Sequence, residues 1–223
     1  RAQIAHAKAK GARTFVVLHA DTPFGHALRT VFVAEAEAAG MSIVATETYP
    51  SDTSNWTPFI KRLQAQSFDG IYLADGPSNA GALLRFLARA DIWGTRKKAV
   101  RKNEETNLRY VHLLAPAEWK DARVIEEGGR YVRGLVVPIE WPGTGANSTT
   151  EFSRHYRQSF GVLPELFDAV GYDVMHVVQA ARSKSRVELA TALRRETGFD
   201  GQLGHVRFDD SGEPVRTVRL YRA

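Results

Sequence analysis

The chain has 223 residues, 43% hydrophobic and 25% charged, the balance of a folded protein of one large or two small domains. It has no cysteine, which excludes disulfides, thiolate metal centres and a cysteine nucleophile within it. The formal charge is +5, and most of that excess lies between Thr95 and Arg109, where six cations meet two anions without an aromatic side chain to stack on a base; this predicts a solvated loop rather than a nucleic-acid surface.

No apolar run approaches the roughly 20 residues of a membrane span. Residues 14–19 form a continuous apolar run, the pattern of a strand buried on both faces. Thr22 then suits a helix N-cap and Pro23 the first helical position. Phe24, Leu28, Val31, Phe32 and Ala36 recur at helical spacing, and Gly40 fits a left-handed stop. The unit repeats: a strand over 43–47, a helix from Asn55 to about Gln66, a strand over 71–74 and a helix over 80–90. A strand over 110–114, a short helix over 118–127 and a strand over 134–138 complete the series. This order predicts an α/β fold, a parallel sheet flanked by helices through right-handed crossovers.

The pattern changes at 139–147, a Pro/Gly-rich stretch that reads as a hinge. Ser148-Thr149-Thr150-Glu151 forms a capping box for a helix to about Phe160, and further helices are predicted over 165–183 and 186–196. Three amphipathic helices with no strand among them need a surface to cover their apolar faces. An alternating hairpin ends the chain: 204–208, a turn at 209–212, then 215–221.

Catalytic signatures are missing: no phosphate loop, no dinucleotide fingerprint, no nucleophile elbow. The histidines at 6, 19, 26, 112, 155, 176 and 205 show no metal-binding spacing, so no metal or cofactor is expected. Asp209-Asp210-Ser211-Gly212 reads as a hairpin turn rather than a calcium loop, and the sequon at Asn147 as part of a helix cap. What remains is position. Ligands of open parallel sheets sit beyond the carboxyl ends of the strands. Those ends carry Asp21, Thr22 and Phe24, then Asp75 to Ser78, then Ala115 to Glu118, although Asp21, Thr22 and Asp75 would serve equally as plain helix caps.

Three stretches together resemble the type I periplasmic binding proteins of the leucine/isoleucine/valine-binding group. They are TFVVLHADTPFGHALRTVF (14–32), FSRHYRQSFGVLPELFDAVGYD (152–173) and GQLGHVRFDDSGEPVRTVRL (201–220). The resemblance implies two lobes closing on a small solute, amino-acid-like or a small carboxylate, without catalysis. It assigns 12–138 and 204–223 to the second α/β lobe and 139–203 to the hinge and helical part of the first, whose sheet is expected before Arg1. It implies ligand contacts at Phe24-Gly25, at Gly76 or Pro77, and near Ala117, with Glu118 one place along. Phe24 keeps the family's ring without a hydroxyl, and Gly76-Pro77 has lost the second aromatic. Together with the strand ends, the candidate ligand set is Asp21, Thr22, Phe24, Gly25, Asp75, Gly76, Pro77 and Glu118. A periplasmic or extracellular location, a membrane transporter as partner and a lipoprotein anchor are implied with it. Asp21-Thr22-Pro23-Phe24-Gly25 with Phe68-Asp69-Gly70 is also similar to penicillin-binding protein activator lipoproteins, whose partner is a cell-wall synthase and whose cleft can be empty.

Overall fold

A computed structural model describes residues 1–95, 108–141, 150–181, 185–194, 197–216 and 218–223. They fall into two compact units, Arg1–Pro138 with Leu220–Ala223, and Ile139–Arg219.

The first unit opens with a helix that the sequence pattern does not announce, α1 (Ala2–Ala9), whose Ile4 and Ala7 are buried. Then come β1 (Thr14–Ala20), α2 (Pro23–Ala38), β2 (Ser42–Tyr49), α3 (Thr57–Gln64) and β3 (Gly70–Ala74). A 3-10 turn at Pro77–Asn79 leads into α4 (Ala80–Arg89). The expected strand over 110–114 is divided. β5 (Arg109–Tyr110) pairs with β4 (Ile92–Trp93) as a separate ribbon, and only β6 (His112–Leu114) enters the main sheet. The helix expected over 118–127 is also divided, into a 3-10 turn at Ala117–Lys120 and α5 (Ala122–Gly128). Asp121 separates them: its backbone is extended, and its carboxylate caps α5 by accepting from the Arg123 N–H at 2.9 Å. β7 (Leu135–Ile139) follows. The basic stretch between residues 95 and 109 lies mostly outside the described residues.

The main sheet has the order β11-β7-β6-β3-β1-β2, where β11 is Arg219–Arg222. The pairings β2-β1, β1-β3, β3-β6 and β6-β7 are parallel. Alternation along the strands divides the core into two layers. Val16, Leu18, Ile71, Leu73 and Leu113 pack under Ile60, Leu63, Leu83, Leu84 and Leu87 of α3 and α4. Phe15, Val17, Tyr72, Leu114 and Val136 pack under α1 and α2, with Phe32 stacked on Tyr72 at 4.1 Å. With helices on both faces, β1 is buried along nearly its whole length, which is why it reads as an unbroken apolar run.

The second unit holds α6 (Glu151–Phe160), α7 (Leu166–Ala181), α8 (Arg186–Leu193) and a three-stranded antiparallel sheet of β8 (Phe199–Gly201), β9 (Gly204–Phe208) and β10 (Pro214–Arg216). The terminal hairpin therefore behaves differently from expectation. Its strands β9 and β10 pair with each other and β8, and only β11 joins the main sheet. The described cap of α6 is Thr150, whose Oγ1 accepts from the Ser153 N–H at 3.2 Å; Ser148, Thr149 and the Asn147 sequon lie outside the described residues, as does most of the 139–147 stretch.

Asp173 explains why two of the motif stretches occur together. It is buried in α7, and its two carboxylate oxygens accept from the Gln202 and Leu203 N–H groups at 2.6 and 2.9 Å. The Gly-Tyr-Asp and Gly-x-x-Gly segments are thereby clamped to one another. α7 buries Ala169, Asp173 and Val177 on that side, yet leaves Phe167, Val174, Met175 and Val178 exposed on another; α8 buries no residue.

Candidate functional site

The chain runs from β1 through α2 to β2 on one side, then returns through α3 to β3 on the other side of β1. Adjacent parallel strands whose connections leave in opposite directions open a crevice at their carboxyl ends. The switch point lies between β1 and β3, and its rim is Asp21–Gly25 on one side and Asp75–Pro77 on the other.

On the β1 side the turn is tight. Gly25 is buried in the first turn of α2, where an added Cβ would lie 2.3 Å from the Ala20 carbonyl oxygen; only glycine lets the helix start this close to the strand. Thr22 caps the helix, its Oγ1 accepting from the Gly25 N–H at 3.0 Å, and its carbonyl accepts from the His26 N–H at 2.9 Å. Pro23 has no N–H. Of the first-turn donors, the Phe24 N–H alone has no hydrogen-bond partner among the described residues. The Phe24 ring is 42% exposed beside it. Asp21 is exposed and pairs with His26 Nε2 at 2.8 Å.

Behind this rim stands His19, 2% exposed and the one buried histidine among the described residues. Its Nδ1 lies 3.1 Å from the Ala20 carbonyl, which can only accept, so Nδ1 carries the proton and Nε2 accepts from Thr48 Oγ1 at 2.9 Å. Its ring meets that of His26 edge-on at 4.9 Å. Burial first, with nearby His26 and Arg29 adding to it, pulls the His19 imidazole below its ordinary value and keeps it neutral.

On the β3 side Asp75 is 8% exposed and fully engaged. Oδ2 accepts from Tyr49 Oη at 2.6 Å and Asn79 Nδ2 at 3.1 Å, and Oδ1 accepts from the Gly76 N–H at 2.7 Å. Its carbonyl accepts from the Trp119 indole at 2.7 Å. Burial, then the Asp75 charge, pushes the Tyr49 hydroxyl far above the phenol range, so it stays a donor. Asp75 thus ties the ends of β2 and β3 to the turn after β6. Gly76 is extended, with open space where a side chain would stand, and Pro77 begins the 3-10 turn. Glu118 is exposed beside the buried Trp119, and after burial its charge raises the Tyr72 hydroxyl.

The eight predicted residues therefore lie on the carboxyl edge, but their duties differ. Thr22, Gly25, Asp75 and Pro77 build the rim. Asp21, Phe24, Gly76 and Glu118 present free surface or open space at it. Sequence reasoning missed His19, Thr48, Tyr49, Asn79 and Trp119. The signal for His19 was its place as the one ionisable residue in the 14–20 run. Among the described residues no three His, Asp or Glu side chains are placed to hold a metal ion, and no helix is long and apolar enough to cross a membrane.

The family model for periplasmic binding proteins matches residues 2–223. The chain belongs to the periplasmic binding protein family. Solved members share the fold. A Rhodospirillum rubrum protein provisionally named a branched-chain amino acid ABC transporter is 23% identical, with a TM-score of 0.75 over 97% of this chain and 60% of its own. A Desulfitobacterium hafniense ABC transporter substrate-binding protein, solved in complex with Leu, is 23% identical, with a TM-score of 0.62 over 99% of this chain and 60% of its own. A Rhodopseudomonas palustris solute-binding protein of an ABC transporter, solved with benzoate, is 17% identical, with a TM-score of 0.58 over 99% and 58%. This periplasmic binding protein chain thus spans about 60% of the length of these structures. No curated protein matches it significantly.

Proposed function

We propose that this chain is the ligand-binding part of a non-catalytic solute receptor, and that its solute carries a carboxylate received at the β1/β3 switch point. The observation that carries this is the Phe24 N–H, which has no partner among the described residues, at the start of the sixteen-residue α2. A helix amino terminus favours an anion through its open donor and its dipole. The half-exposed Phe24 ring and the space beside Gly76 suit an apolar body attached to that anion. Leucine and benzoate, held by two proteins of this fold, both have that form. In this reading Asp21, which now pairs with His26, and the exposed Glu118 would meet a second polar group of the solute, such as an ammonium.

The receptor reading includes a second lobe. Residues 1–138 with the last strand form one α/β lobe, and 139–219 supply helices to the other, whose remaining part covers the exposed stripe of α7. Closure of two lobes on a ligand would shift a hinge equilibrium that a transporter can sense. A periplasmic or extracellular location, with or without a lipid anchor, fits that role. Thermal unfolding with leucine, other amino acids and benzoate tests the reading. A ligand present at about 100 times its Kd stabilises by about 2.7 kcal/mol and raises Tm. No shift with any amino acid or aromatic carboxylate contradicts it, and retention on a cell-wall synthase column would favour instead the scaffold role implied by the activator-like residues 21–25.

A further inference from the structure

At the opposite end of the same sheet, a cavity of about 320 Å³ opens among the amino ends of β3, β6 and β7. Its ionisable lining comes from five elements: His6 and Lys10 at the end of α1, Asp69 before β3, Tyr110 and His112 at β5 and β6, and Arg222 from β11. Among the described residues the side chains of Lys10 and Arg222 form no ion pair or hydrogen bond. Asp69 is the one carboxylate among the described lining residues, and one of its two oxygens is engaged at the start of β1. Its Oδ2 accepts from the Arg13 and Thr14 N–H groups and the Thr14 hydroxyl at 2.8 to 3.0 Å, fixing the start of β1.

The cations also act on one another. Burial, then Lys10 and Arg222, pulls the His6 imidazole below its ordinary value. Burial, then His6 and Lys10, with Arg222 adding and Asp69 opposing, does the same to His112. A fold gains nothing from bringing four basic groups together around an open cavity, and local conflict of this kind marks functional sites.

We propose that this cavity binds a small dianionic oxyanion of the sulfate or phosphate class, held by Lys10 and Arg222 with His6 and His112 as further donors. The cavity has room for a tetrahedral oxyanion with a few waters, and a dianion overcompensates the single net charge left by Lys10, Arg222 and Asp69. The difference is made up by a proton from solvent taken onto one of the two imidazoles. Sulfate keeps its charge over the relevant pH range, so its affinity should rise roughly tenfold per unit of pH decrease while one proton is taken up.

The test is an NMR titration of the histidine ring signals of the purified chain with sodium sulfate, against sodium chloride at matched ionic strength, at about pH 7 and about pH 6. The His6 and His112 signals should shift saturably with sulfate alone, with a lower midpoint at the lower pH. The K10Q/R222Q variant should weaken binding by at least about tenfold. No saturable shift up to about 10 mM sulfate overturns the proposal, as does equal saturation by chloride or unchanged binding in the variant. The wild-type ring signals report directly, so the outcome does not depend on the variant folding well. Residues 21–25 stand at the other end of the strands and should not respond, which separates this result from that of the solute site.

Discussion

Asp75 offers the sharpest test of how the switch point is built. Its carboxylate is nearly buried and accepts three hydrogen bonds, from Tyr49, Asn79 and Gly76. Replacing it with alanine removes all three and leaves the buried Tyr49 hydroxyl without its acceptor. Hydrogen bonds to a charged group are worth about 1.5–3 kcal/mol each, and partial rehydration of Gly76 and Asn79 recovers part of this, so Asp75→Ala should cost about 3–4 kcal/mol. Asp75→Asn keeps the shape but must turn an NH2 toward one of three donors, for a cost of about 1–3 kcal/mol. Tyr49→Phe removes one donor to the carboxylate and should cost about 1.5–3 kcal/mol. In the double variant Asp75→Ala/Tyr49→Phe the orphaned hydroxyl is gone, so its cost should fall short of the sum by about 1–2 kcal/mol. Urea unfolding followed by tryptophan fluorescence measures the cycle, since Trp119 bonds to the Asp75 carbonyl and Trp56 packs 5.9 Å from Tyr49. Additivity within about 0.5 kcal/mol would refute the view of Asp75 as the tie between the two strand ends.

Gly25→Ala should cost about 1–3 kcal/mol or more, because the new methyl meets backbone at Ala20 rather than a side chain that can move; unchanged urea stability would show that α2 can slide. Burial holds His19 neutral in the fold, whereas in the unfolded chain it titrates near the ordinary 6.5. Its contribution to stability is therefore intact above that value and lost as pH falls below it toward the depressed folded value. His19→Gln should reduce the dependence of the urea midpoint on pH between about 7 and about 5, leaving the slopes of the same sign due to His6 and His112. Asp173→Ala removes two charge-assisted bonds to the 202–203 backbone and should cost about 3 kcal/mol, read as early loss of hydrogen-exchange protection in β8 and β9. An apolar dye should bind the purified chain, and polar replacements at Phe167 and Val174 should abolish most of its fluorescence; Phe167 is 83% exposed, a large patch for a surface meant for water.

Most of the first unit was legible because its strands are buried on both faces, so period and length alone mark them. Thr22, Pro23 and Gly40 punctuated α2 correctly, with Gly40 at φ +73°. The failures have physical causes. α1 has almost no apolar stripe; Ile4 and Ala7 are all it buries, so periodicity could not find it. The splitting of 110–114 and 118–127 depends on pairing with β4 and on the extended backbone of Asp121, neither of which a local pattern encodes. The strand over 204–208 was legible, but the one expected over 215–221 divides between the small sheet (β10) and the main sheet (β11), a split set by pairing with the three-residue β8 sheet and with β7 that no local pattern encodes. At the site, the strand-end rule located the rim. It could not tell that Asp75 is saturated, because the strongest of its donors, Tyr49, comes from a different strand, nor that Thr22 caps the Gly25 N–H and leaves that of Phe24 open, because a cap residue can reach more than one donor.

The central claim is that a carboxylate docks on the amino terminus of α2 at the β1/β3 crevice. Amide NMR of the 15N-labelled chain titrated with leucine and with benzoate tests it directly, and detects binding even where one lobe alone holds the solute weakly. The Phe24 amide should move downfield and saturate with at least one of them, accompanied by the amides of Thr22, Gly25, Gly76 and Ser78. Saturable shifts confined to other parts of the chain, with Phe24 unmoved, would contradict the account.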